Sequence, residues 1–301
     1  GGEDGVDDEG YLGHRNPQYG GGHQLEDAPH PGVVKGKLEP WQHADAGEGG
    51  PPDGTPEQGA PLTPAPGTEA RQPIPIAPAR RFLGANRNIG DYSRTGDGTT
   101  MRRGLGQYVK KGYGGSATAT RRMGGTAQTA QALYTALSGG QANPYAAPGS
   151  PLDPALAAGR SADEVMDAVV EAVRPVDGTQ DAEASRTSIK DALADVLNQF
   201  PNADLLNLDQ EQRDMAIERF VAADVFRRID LDIGRTIREK APNAAIGLGR
   251  LKEVREYVRE IVSASFRRLR EAGQGLAALR VTQIVQSAIR ETFQVFEGYA
   301  E

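Results

Sequence analysis

The sequence predicts a mainly α-helical protein: a C-terminal helical bundle, preceded by a Gly-rich basic segment and a disordered acidic N-terminal leader. Three observations lead there. Apolar residues recur at helical spacing from about residue 161 onward, bracketed by helix-start and helix-stop signals, and no period-2 alternation marks a strand. The 38 glycines and 20 prolines are concentrated in the first half, where apolar periodicity is weak. Charge divides the chain at the same places, with 13 acids against four bases in residues 1–79, two against ten in residues 80–137, and 26 against 20 in residues 138–301. The expected organisation is a leader over 1–79, a basic docking segment with short helices over 80–150, and an α-helical bundle over 151–301.

The leader contains text such as GGPPDGTPEQGAPLTPAPGTEARQPIPIAP. Its few apolar residues follow neither a strand nor a helix period. They cannot offset the roughly 1–2 kcal/mol per residue that ordering a backbone costs. The proline-spaced run from Pro61 to Pro78 favours extended polyproline II.

The basic segment carries its cations in pairs, Arg80-Arg81, Arg102-Arg103, Lys110-Lys111 and Arg121-Arg122, with Phe82, Tyr92, Tyr108 and Tyr113 between them. Residues 84–100 are rich in Gly, Asn, Asp and Thr and read as loop. A short helix is expected from Thr99 to Lys111, on the spacing of Met101, Leu105, Tyr108 and Val109. Its two internal glycines each weaken it by about 1 kcal/mol. A firmer helix is expected from Thr126 to Leu137, followed by a Gly/Pro linker over 139–151.

The bundle is expected to hold five helical segments. Ser161 with Glu164 forms a capping-box pattern ahead of Val165, Val169, Val170 and Val173, and Pro175 follows the end. Asp177-Gly178 marks a turn before Ile189, Leu193, Val196, Leu197 and Phe200. After the bridge NADLLNL, Asp209 with Gln212 opens a helix that should stop near Lys240, because Pro242 disfavours helix at the residue before it. Asn243 begins the next, with a stripe from Leu251 to Leu269. The last runs from Leu276 and Leu279 through Phe293 and Phe296.

Little catalytic chemistry is on offer. The chain has no cysteine, and its four histidines, His14, His23, His30 and His43, all lie in the leader at spacings that match no helical metal pair. The bundle therefore lacks the residues for Ser-His-Asp or Cys-His nucleophilic catalysis. No GxxxxGK[ST] loop occurs, and Gly104-Leu-Gly106 lacks the strand that a dinucleotide fold requires. Asp224, Asp230 and Asp232, and Asp191 with Asp195, stand among arginines and read as a solvated charged face. The expectation is a protein that is not an enzyme and takes no cofactor and no metal. With no secretory signal and no spanning run, it is expected in the cytoplasm.

Function then falls to the basic segment. Arg80, Arg81, Arg102, Arg103, Tyr108, Lys110, Lys111, Tyr113, Arg121 and Arg122 are the candidate contacts. They suit docking on an acidic partner or on this protein's own acidic bundle, and equally neutralising phosphates while tyrosines stack on unpaired bases. A solvated loop is the plain alternative. A phage or virion scaffold would share the helical, acidic and tailed character.

The run RRFLGANRNIGDYSRTGDGTTMRRGLGQYVKKGYGGSATATRRMGGTAQTAQALY resembles the QatB family, components of the four-gene Qat anti-phage defence system of bacteria. So do PLDPALAAGRSADEVMDAVVEAVRPVDGTQDAEASR, FPNADLLNLDQEQRDMAIERFVAADVFRR and the terminal ETFQVFEGYAE. The similarity runs over about residues 80–301 and leaves out the leader. It implies a non-enzymatic scaffold or adaptor subunit acting beside an ATPase, a QueC-like enzyme and a TatD-like nuclease, and it transfers no catalytic residue. A QueC-like partner, which activates a carboxylate for transfer to an amine, makes the amine of Gly1 a candidate modification site.

Overall fold

The structure is a computed structural model that describes residues 80–140 and 143–300. The leader, and with it the polyproline run, the four histidines and Gly1, lies outside the described residues. Every described regular element is helical.

The first helix, α1, spans Leu83–Thr95. This corrects the loop expected over 84–100. Its Gly and Asn residues are poor helix formers, but Ala85, Ile89 and Tyr92 make a buried stripe at helical spacing, and burial outweighs propensity. Polar ties hold it to the distant bundle: Ser93 Oγ donates to the carbonyl of Ile237 at 2.7 Å, and the Tyr92 hydroxyl donates to Glu253 Oε2 at 2.7 Å.

Helix α2 (Gly98–Gln107) starts at Asp97, whose carboxylate accepts from the Thr99 amide. Its internal glycines are sites of close approach. A Cβ on Gly104 would sit 2.7 Å from the Ile89 side chain, and one on Gly106 would sit 2.5 Å from the backbone nitrogen of Ala300. The C-terminal turn Gly298–Ala300 lies in that space, and Gln107 Nε2 donates to the Ala300 carbonyl at 3.0 Å. The expected helix ends early, at Gln107, and gives way to a π-helical turn, Tyr108–Tyr113. Short helix α3 (Ser116–Arg122) and α4 (Gly124–Ala136) follow, the latter close to its expected bounds.

A 3-10 turn, Pro144–Ala146, and the single helical turn α5, Pro154–Ala157, occupy the linker region. Helix α6 (Ala162–Val173) opens on the full capping box of Ser161 and Glu164. Helix α7 (Gln180–Gln199) follows Gly178, whose φ of 76° makes the turn. Helix α8 (Gln210–Ile229) opens on the second capping box, Asp209 with Gln212, and passes through a second π-helical turn, Asp230–Gly234, into α9 (Arg235–Lys240). It stops at Lys240, before Pro242. The Asn243 side chain then caps α10 (Ala244–Glu271) through the Ile246 amide. Helix α11 (Val281–Glu297) begins later than expected, leaving Leu279 99% exposed ahead of it.

One hydrophobic core runs through both parts of the chain. Ile89, Tyr92, Leu105, Tyr108, Leu133 and Leu137 from the basic segment are buried in the same cluster as Leu193, Phe220, Phe266 and Phe296. At roughly 1.5–3 kcal/mol per large side chain, this burial accounts for the order of a segment with weak local propensity. Among the described residues no helix is long and apolar enough to cross a membrane.

Candidate functional site

The basic segment has an inner and an outer side. On the inner side the π turn Tyr108–Tyr113 faces the π turn Asp230–Gly234. The Tyr108 hydroxyl donates to Asp232 Oδ2 at 2.8 Å, and the Tyr113 hydroxyl donates to the same oxygen at 2.7 Å. The Phe82 ring stacks on Tyr108 at 5.1 Å, Tyr108 meets Tyr113 edge-on at 5.1 Å, and the Arg81 guanidinium lies 4.5 Å from the Phe82 centroid. Two isolated π turns, a geometry that is rare and often found at functional sites, are thus joined through one carboxylate.

Burial is the main reason both phenols hold their protons. Tyr113 is pushed up to about 12, and Tyr108, fully buried and beside Tyr113 and Asp232, lies well above the usual phenol range. They act as hydrogen-bond donors rather than as nucleophiles or bases. Tyr108 is moreover not presented at the surface, so its place among the candidate contacts is corrected: ring and hydroxyl are both engaged inside. Tyr113 is half-buried.

The carboxylates expected on a solvated face instead tie the helices together. Thr126 of α4 donates to Asp224 of α8 at 2.6 Å, and burial raises the Asp224 carboxyl above its usual range against the opposing effect of hydrogen bonds from Thr126 and Ser185. Arg228 holds Asp181 through two bonds, at 2.8 and 2.7 Å. Asp191 of α7 takes Arg227 at 2.7 Å and Arg255 at 3.1 Å, while Arg259 stands 3.4 Å from Asp195. Arg238 pairs with Asp230 at 2.7 Å. Among the described residues no group of three or more His, Cys, Asp or Glu is placed to hold a metal.

The outer side is different. Arg80, Arg102, Arg103, Lys110, Lys111, Arg121 and Arg122 are exposed, and Arg81 is partly so. Among the described residues none of these eight belongs to an ion pair, in contrast to the bundle arginines named above. Arg121 donates to Thr118 Oγ1 at 3.2 Å. Arg80 and Arg81 precede α1, and the other six cations are carried on α2, the π turn and α3. Glu297 of α11 anchors the last of these: its carboxylate accepts from the Ser116 amide at 2.9 Å, and that bond holds it below the usual carboxylate range.

Helices α3 and α11 flank a groove of about 610 Å³, with Arg121 and Arg290 in its lining. Sequence reasoning missed Arg290. It stands alone on an amphipathic helix far along the chain, and only the contact of α3 with α11 brings it to the basic segment.

The family described as Qat anti-phage system associated protein QatB matches residues 114–296, from the end of the first π turn through nearly all of α11. No curated protein matches the chain, and no solved structure matches it. With more than half of its length covered by that match, the chain belongs to the QatB family and is a component of an anti-phage defence system.

Proposed function

We propose that this protein is a non-catalytic scaffold or adaptor subunit that docks on other proteins of a Qat complex through the outer side of residues 80–122. The observation that carries this reading is the contrast in charge compensation. The bundle arginines named above meet carboxylates within the molecule, whereas the paired cations of the basic segment do not, although they stand on a frame fixed from inside by Tyr108 and Tyr113. Exposed arginines and lysines held in place gain charge-assisted bonds to a partner with little further loss of freedom. The partners in this reading are those the resemblance implies, an ATPase, a QueC-like enzyme and a TatD-like nuclease.

The test is affinity purification from cells expressing all four proteins, with nuclease treatment of the lysate. Lys110→Glu with Lys111→Glu, and Arg102→Glu with Arg103→Glu, are expected to remove partners from the eluate while helicity is retained. Partners that co-purify only before nuclease treatment would replace this reading with a nucleic-acid adaptor.

A further inference from the structure

We propose that the groove between α3 and α11 binds an extended acidic peptide segment of a partner protein, an assignment that rests on the docking role above and locates it. Two guanidiniums, of Arg121 and Arg290, border the groove, and no carboxylate lines it. Among the described residues Arg290 has no ion-pair partner, so an incoming carboxylate meets an uncompensated charge. Gln283, Gln286 and Arg290 stand at positions i, i+3 and i+7 of α11, along one stripe of its surface. That stripe is about 10 Å long at the rise of an α-helix. It matches about three residues of extended chain.

The other lining groups favour peptide over phosphate. Gln283, Gln286 and Ser287 each carry an acceptor as well as a donor, and the Thr120 hydroxyl, which donates to the Ser116 carbonyl at 2.9 Å, adds an acceptor. A peptide backbone offers both N–H and C=O groups to such side chains, whereas a phosphodiester backbone offers acceptors alone. The lining also holds no aromatic ring on which a base would stack. The volume falls within the roughly 300–1,000 Å³ of ligand clefts.

The experiment is fluorescence anisotropy on the full chain, with a dye-labelled peptide of alternating glutamate and glycine as probe and dye-labelled oligothymidylate beside it. The unaltered protein is expected to bind the peptide more tightly than the oligonucleotide. Arg290→Glu should weaken that binding by about tenfold or more, and Gln283→Ala with Gln286→Ala by a smaller factor. All three side chains are exposed, so thermal midpoints should hold. Peptide binding indifferent to Arg290→Glu, preference for the oligonucleotide, or binding of neither probe would each overturn the assignment. The docking role is read separately. If Arg290→Glu leaves co-purification intact while Lys110→Glu with Lys111→Glu removes it, the groove fails and the docking surface stands. If neither variant affects co-purification, both fail.

Discussion

Tyr113 and Asp232 are 119 positions apart in the chain, and the phenol of one donates to the carboxylate of the other across 2.7 Å. Tyr108 donates to the same oxygen from one turn earlier. The pair fixes the basic segment to the bundle at the point where both backbones widen into a π turn. Asp232→Ala leaves the hydroxyl of fully buried Tyr108 with only the Tyr113 hydroxyl, at 3.4 Å, as acceptor and is expected to cost about 1–3 kcal/mol, against about 1 kcal/mol for Tyr113→Phe. Urea unfolding followed by circular dichroism measures both. Equal and negligible losses would mean that the junction contributes nothing.

The same burial sets a pH signature. The folded value of Tyr113 lies above the usual 10.0, at about 12, so its contribution is fully present below the unfolded value and is lost as pH rises through the folded one. Absorbance titration at alkaline pH should therefore show phenols ionising later than the exposed fraction, together with loss of helicity. A single transition near the usual value for all nine tyrosines would contradict this.

Asp224 shows the same direction for a carboxyl. Burial raises its folded value above the usual 3.8, so the stability linked to it is present below that value and is lost as pH rises through the folded one. Ionising Asp224 is thus a cost to the fold. Asp224→Asn keeps an acceptor for Thr126 and should gain on the unaltered protein between about pH 4 and about pH 7. Urea midpoints of the two proteins at both pH values provide the check, and a difference independent of pH would count against it.

Gly106 tests the seat of the C-terminal turn. Because the added Cβ of Gly106→Ala would meet the backbone of Tyr299 and Ala300, a side-chain rotation cannot relieve the clash. A loss of about 1–3 kcal/mol is expected, with carboxypeptidase trimming of the last residues accelerated. Unchanged trimming would show that the turn is not held there.

What was legible in the sequence was local. Capping boxes at Ser161 and Asp209, the Asn243 cap and the stop before Pro242 are short-range patterns, and the structure places all of them. What was not legible depends on residues remote in sequence. Helix α1 exists because Ile89 and Tyr92 find a core, and its Gly/Asn-rich text argues the other way. The π turns leave no periodic trace. The aspartates of α7 and α8 look solvated until the facing helices supply Arg227, Arg255 and Thr126. For the candidate surface, the basic pairs were visible as composition. The burial of Tyr108 and the arrival of Arg290 beside Arg121 were set by topology alone.

The most direct measurement is amide hydrogen exchange on the full chain, alone and in complex with the other Qat proteins. Docking through the outer side of the basic segment predicts slower exchange on complex formation in peptides covering Gly98–Arg122, with the exposed faces of α6 and α7 unchanged. Slowing confined to α6 and α7, with Gly98–Arg122 exchanging as in the free protein, would contradict it.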